Sequence, residues 1–152
     1  MSHSPRKEED AKKMGAKTFI CTADKDWAKP WSFKFDFILN TADMTHSFNL
    51  SDYMSTLAVN GVFHNVGLPD KPLPQMRAQD FCPNGAAISG SHIGSRPEAL
   101  AMLKLASEKG IKSWIETIDV SSEGCEQAVT KVKQNDVRYR CVLTNFSKAF
   151  AG

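Results

Sequence analysis

Short β-rich runs alternate with helical stretches along this chain, and that alternation limits the folds open to it more than any other feature. Residues 18–22, 35–41, 61–67, 86–91, 114–120 and 138–144 are rich in β-branched, aromatic and aliphatic residues and read as strands. Residues 5–14, 48–57, 97–109 and 123–134 read as helices between them. In the first, Ser4 can cap, Pro5 suits the opening position, Glu8, Glu9 and Asp10 crowd the start, and Gly15 stops it. In the third, Pro97 opens a face of Leu100, Leu103 and Ala106, and Gly110 ends it. In the fourth, Cys125, Val129 and Val132 recur at helical spacing. The run 35–41 shows no polar alternation beyond Asp36, the pattern of a strand covered on both faces. Residues 114–120 alternate instead, as a half-buried strand does. Pro69, Pro72 and Pro74 mark a loop. Strands alternating with helices predict an α/β domain with a mainly parallel sheet.

Several function classes fall away on composition. Lys plus Arg number 19 and Asp plus Glu 17, a net charge of +2, and no basic run is interleaved with aromatics, so nucleic acid is not an expected partner. No stretch approaches the roughly 18 apolar residues of a membrane span. The start, Met1-Ser2-His3-Ser4-Pro5-Arg6-Lys7, is not an apolar signal core, so a cytoplasmic protein without a membrane partner is expected. Cys21, Cys82, Cys125 and Cys141 are far apart with no C-x-x-C, which predicts reduced thiols that are buried or half-buried, and no structural zinc. His46, in a loop, and His64, in a strand, have no partner at ligand spacing. No G-x-S-x-G or Cys–His arrangement argues for a hydrolase.

Four blocks carry a resemblance. They are Ser2-His3-Ser4-Pro5-Arg6-Lys7-Glu8-Glu9-Asp10-Ala11-Lys12-Lys13-Met14-Gly15-Ala16, Phe35-Asp36-Phe37-Ile38-Leu39-Asn40-Thr41, Gly90-Ser91-His92-Ile93-Gly94-Ser95 and Asn135-Asp136-Val137-Arg138-Tyr139-Arg140. In this order they resemble segments of the cinnamyl-alcohol-dehydrogenase-like family, the zinc-containing, NADP-dependent alcohol dehydrogenases of the medium-chain superfamily. The resemblance runs along essentially the whole chain. It implies an α/β fold: an incomplete Rossmann-type parallel sheet with flanking helices, lacking the first strand and the glycine-rich turn, since no G-x-G-x-x-G is present. Residues 1–113 are then a partial NADP-binding domain, and 114–152 a C-terminal return toward a catalytic domain. The zinc ligands of the family are absent, so zinc is expected only in a complete enzyme, of which this chain resembles the C-terminal half.

The same resemblance assigns site residues. Ser2, His3 and Lys7, with Ser4 and Arg6 close by, fall where the NADP 2′-phosphate is held. Hydroxyls and a cation suit a phosphate, and the first acid, Glu8, lies already inside the helix. The residues alone leave open a solvated tail in which Ser4 only caps a helix. Thr41 falls near the adenosine ribose, and Val66 and Gly67, before Leu68 and Pro69, at the nicotinamide. Ser91, His92 and Ile93 fall at the carboxamide and the substrate pocket. The glycines are equally read as ordinary strand ends. Arg138 and Arg140 flank Tyr139 and are expected on one face of a strand. Arg140 matches an arginine that reaches the cofactor pyrophosphate, while the pattern alone allows two surface arginines.

The expected function is the cofactor-binding part of an NADP(H) oxidoreductase interconverting primary alcohols and aldehydes, inactive as an isolated fragment. A homodimer is a further implication of the resemblance, involving the strands near Ser91 and Ser95. The alternative is a non-catalytic nucleotide-binding or interaction module, or an inactive remnant. Without its first strand the sheet is expected to show unpaired edges and apolar surface, and the chain to aggregate.

Overall fold

The computed structural model describes residues 1–42, 44, 48–68 and 72–149. His46 and Pro69, both read as loop residues, lie outside them. The chain divides into two units, Met1–Ile93 and Gly94–Gly152.

In the first unit a 3-10 turn at Pro5–Lys7 runs into helix α1 (Glu8–Lys13), with Glu8, Glu9 and Asp10 in its first turn and a Lys12–Glu8 ion pair at 2.6 Å. Gly15 ends this segment at φ +96°, a conformation that suits glycine. Ser4 stands at the capping position in extended conformation, but its side chain makes no capping bond, contrary to expectation. Its hydroxyl faces a 3-10 turn, where the helical donors of a regular first turn are not yet aligned. The predicted strand at 18–22 is reduced to a single parallel bridge, Ser2 with Cys21. The Ser2 N–H donates to the Ile20 carbonyl (2.9 Å) and the Thr22 N–H to the Ser2 carbonyl (2.8 Å). Among the described residues Ser2 alone pairs with this segment, and one residue makes a bridge and not a ladder.

Strands β1 (Phe35–Asn40), β2 (Leu57–Asn65) and β3 (Ala87–Gly90) form a parallel sheet in that order, with helix α2 (Leu50–Thr56) leading into β2. Ile38 pairs with Phe63 and Phe63 with Ile88; on the alternate positions Leu39 pairs with His64 and His64 with Ser89. Because strand side chains alternate, the first set faces the core and the second the other side. Phe63 and Ile38 join Met44, Leu50, Met54, Leu57 and Ala86 in one apolar cluster, flanked by Tyr53 stacked on Phe48 at 4.4 Å. Buried Asn84 ties this core together: its amide donates to the Met54 and Leu57 carbonyls, each at 2.9 Å, and its carbonyl accepts from the Ala86 N–H. The opposite face is open. Phe37 is 55% and Leu39 56% exposed, so β1 is covered on one face and not on both. The cause is that Leu50 and Met54 of α2 pack with Ile38 and Phe63 on the opposite face of the sheet.

The second unit starts with helix α3 (Arg96–Lys109), which has Pro97 in its first turn and left-handed Gly110 at its end. Strands β4 (Ile115–Asp119) and β5 (Arg140–Thr144) are parallel and joined across helix α4 (Ser122–Lys133), a βαβ unit; a short helix α5 (Phe146–Ala149) follows. The Ser121 hydroxyl accepts the Gly124 N–H at 2.9 Å, capping α4. Gly124 is buried so closely that a Cβ would stand 2.1 Å from the Asp119 carbonyl. Val129 and Val132, which recur at helical spacing, are exposed. The helix instead presses Gly124 on β4 and sends Lys131 to Glu116, which rotates those valines outward. Leu100 and Leu103 of α3 are likewise 57% and 58% exposed. Of the cysteines, Cys82 is exposed where a buried or half-buried thiol is expected, because it follows a surface 3-10 turn and its thiol reaches only the Ala78 carbonyl. The parallel sheets and flanking helices are the α/β architecture expected. Among the described residues no helix is long and apolar enough to cross a membrane.

Candidate functional site

Parallel strands bring their carboxyl ends to one edge, where open α/β sheets bind ligands. In the first unit this edge is organised by two asparagines that sequence reasoning missed. Asn40 and Asn65 are the last residues of β1 and β2 and pair with each other in register. The Asn40 amide donates to the Asn65 side-chain oxygen (2.7 Å) and to the Ala42 carbonyl (3.1 Å). The Asn65 amide donates in turn to the Gly67 carbonyl (2.8 Å). Backbone bonds complete the layer: the Val66 N–H donates to the Asn40 carbonyl (3.0 Å) and the Ser91 N–H to the Asn65 carbonyl (3.2 Å). The signal available in the sequence was an Asn closing each of two apolar strands, Phe-Ile-Leu-Asn and Val-Phe-His-Asn.

This layer brings together Thr41, Val66, Gly67 and Ser91. Gly67 is required by a close approach: a Cβ there would meet the Ala42 carbonyl at 3.0 Å. Gly90 has the same relation to the Asn65 carbonyl. Thr41 and Ser91 are exposed, Val66 and Gly67 half-buried, and His92 and Ile93 continue from β3 into solvent. His64, read as a strand residue with no partner at metal-ligand spacing, is hydrogen-bonded by two serines. Its Nδ1 lies 2.8 Å from the Ser89 hydroxyl and its Nε2 2.9 Å from that of Ser91.

The remaining site residues stand elsewhere. Ser2 is fixed by its bridge to Cys21, whose thiol approaches the His3 carbonyl at 3.8 Å. His3, Ser4 and Arg6 are exposed and Lys7 half-buried. Arg140 belongs to the second unit, exposed at the start of β5 opposite Ile115. Arg138 does not share that strand: its N–H donates to the Glu116 carboxylate at 2.6 Å, so the ladder begins only at Arg140 and the expected pair of arginines on one strand face is not formed. Glu116 also accepts from Lys131. That bond first, and the Arg138 N–H second, hold its carboxyl below the usual range.

The zinc-binding dehydrogenase family pattern matches residues 1–108. The chain belongs to the zinc-binding dehydrogenase family. NADP-dependent alcohol dehydrogenase 6 of Saccharomyces cerevisiae is 33% identical over 152 residues, 99% of this chain and 42% of that relative. A cinnamyl alcohol dehydrogenase structure from Sorghum bicolor superposes with a TM-score of 0.82 at 29% identity, covering 93% of this chain and 39% of that one. The cinnamyl alcohol dehydrogenase of Helicobacter pylori, solved with NADP(H), gives 0.73 at 28% identity, covering 93% and 40%. The chain thus spans about two-fifths of the length of these relatives.

A dinucleotide suits the residues present. The strand ends bring backbone together at Gly67, where a Cβ would crowd the Ala42 carbonyl, and Arg6 and Lys7 supply positive charge next to His3 in the chain. Zinc does not suit them: among the described residues no three of His, Cys, Asp or Glu come together to hold a metal ion.

Proposed function

We propose that this chain is the NADP(H)-binding part of an oxidoreductase that interconverts primary alcohols and aldehydes. The observation that carries the reading is the Asn40–Asn65 clamp, which sets the backbone of Val66, Gly67 and Ser91 at the carboxyl edge of a parallel sheet. It gains weight because a relative named as NADP-dependent and a structure containing NADP(H) match nearly the whole chain. Under this reading Val66 and Gly67 seat the nicotinamide. Ser91, His92 and Ile93 hold the carboxamide and border the substrate. Thr41 lies toward the adenosine ribose. Ser2, His3, Ser4 and Lys7, with Arg6, neutralise and hydrogen-bond the 2′-phosphate, and Arg140 meets the pyrophosphate. When bound, NADP(H) supplies the hydride chemistry. The chain's own residues bind and orient the cofactor, and residues 114–152 return toward the part of the enzyme that carries the alcohol.

Calorimetric titration of the chain with NADPH and NADH tests the proposal. NADPH is expected to bind more tightly, and Lys7→Ala to weaken it about tenfold or more while leaving NADH nearly unchanged, the scale of one charged hydrogen bond. A chain that binds neither nucleotide, or prefers NADH, contradicts it.

A further inference from the structure

His64 occupies the open face of the three-stranded sheet, half-buried, with the Phe37 ring stacked beside it at 5.7 Å. Both ring nitrogens are engaged, at 2.8 Å by the Ser89 hydroxyl and at 2.9 Å by the Ser91 hydroxyl. Ser91 is therefore held to β2 twice, by its side chain on His64 and by its N–H on the Asn65 carbonyl. Its hydroxyl has one proton and two lone pairs. With the proton on Nε2, the imidazole donates to Ser91 and turns the Ser91 O–H outward as a donor. With the proton on Nδ1, Nε2 accepts the Ser91 O–H, and the serine presents only lone pairs outward. A ring pinned at both nitrogens cannot turn without breaking both bonds, so its orientation is fixed and its tautomer sets the direction of the Ser91 hydroxyl.

We infer that His64 is a positioning residue of the cofactor edge: through Nε2 it fixes the hydroxyl of Ser91 and thereby sets how tightly a nicotinamide carboxamide is held there. This rests on the reading of Val66, Gly67 and Ser91 as the nicotinamide edge. A carboxamide carries an NH₂ donor and a carbonyl acceptor, so a hydroxyl of fixed direction engages one of them selectively. Ser89 serves the other ring nitrogen and belongs to the imidazole's support, with no contact to the cofactor.

A double-mutant cycle on NADPH affinity tests the inference, read by nucleotide fluorescence on the full chain. His64→Val and Ser91→Ala are each expected to weaken binding about three- to tenfold, the range of one neutral hydrogen bond. The double variant is expected to be no weaker than the poorer single. His64→Gln, which returns an amide near the Nε2 position, is expected to recover part of the loss, and Ser89→Ala, which leaves the Nε2 bond in place, to weaken binding less than His64→Val does. The ring ¹⁵N resonances of His64 are expected to move on adding NADPH to the wild type and not to Ser91→Ala. If His64→Val does not fold, the cycle of His64→Gln with Ser91→Ala gives the same readout. Losses that multiply in the double variant, or a His64→Val chain that binds as the wild type does, overturn the inference and leave the cofactor reading standing. A wild-type chain that takes up no NADPH overturns both.

Discussion

Asn65 closes β2 with its backbone in the ladder and its amide turned onto the Gly67 carbonyl, so one side chain fixes the first two residues beyond the strand. Asn65→Leu keeps the size and removes both amide bonds. The Gly67 carbonyl then loses this donor and the Asn40 amide keeps its bond to the Ala42 carbonyl, and the first unit is expected to lose about 1–3 kcal/mol, measured by urea unfolding. Amide exchange should speed at Val66 and Gly67 and stay unchanged in α4. Glu116 gives a pH dependence in the second unit. Its carboxyl is lowered first by the bond from Lys131 and then by the Arg138 N–H, so its contribution is present above the unfolded value of about 4.3 and lost as pH falls through the lower folded value. Thermal midpoints are expected to drop on acidification through that window, and Glu116→Gln to flatten the drop. Lys131 is raised by the same pair, so its contribution holds below the unfolded lysine value near 10.4 and fades only above it. At this scale the sequence was partly legible. Gly67 and Ser91 were marked through a family resemblance alone, whereas the side-chain bonds of Asn40, Asn65 and His64 were not read because their partners lie on neighbouring strands, 25 to 27 residues away.

Elements were easier to read than the faces they bury. Strands β1 to β5 and helices α2 to α4 all fall within or close to the runs that periodicity marked, because length, β-branched content and glycine or proline punctuation are local properties. Burial is not local. The spacing of Val129 and Val132 marks a helix without saying which way they face, and the helix register is set by Gly124 against the Asp119 carbonyl and by Lys131 on Glu116. Gly124→Ala is the direct check on that register. With 2.1 Å between the new Cβ and the carbonyl, α4 must lift from β4, and a loss of about 1–3 kcal/mol in the second unit is expected by circular dichroism in denaturant. The single bridge of residue 21 shows the same limit from the other side. The composition at 18–22 suits a strand, but a strand is made by its partner, and Ser2 is all the partner there is among the described residues.

For the molecule as a whole, apolar surface is the dominant feature. Phe37 and Leu39 stand open on the sheet, and Leu100 and Leu103 stand open on α3. Exposed apolar side chains of this kind drive association, so the chain is expected to self-associate at micromolar concentration in sedimentation velocity. Leu100→Glu with Leu103→Glu should reduce that without lowering unfolding stability, since neither side chain is buried. The parallel order β1-β2-β3 places Thr41, Val66, Gly67 and Ser91 along one edge, and the account stands or falls on NADP(H) meeting that edge. Titrating the ¹⁵N-labelled chain with NADPH and following its amide resonances tests this most directly. The account predicts that the side-chain amides of Asn40 and Asn65 and the backbone amides of Val66, Gly67, Ser91 and His92 shift together with those of Ser2, His3 and Lys7. Saturating NADPH that leaves these resonances in place, or moves only residues elsewhere, would contradict it.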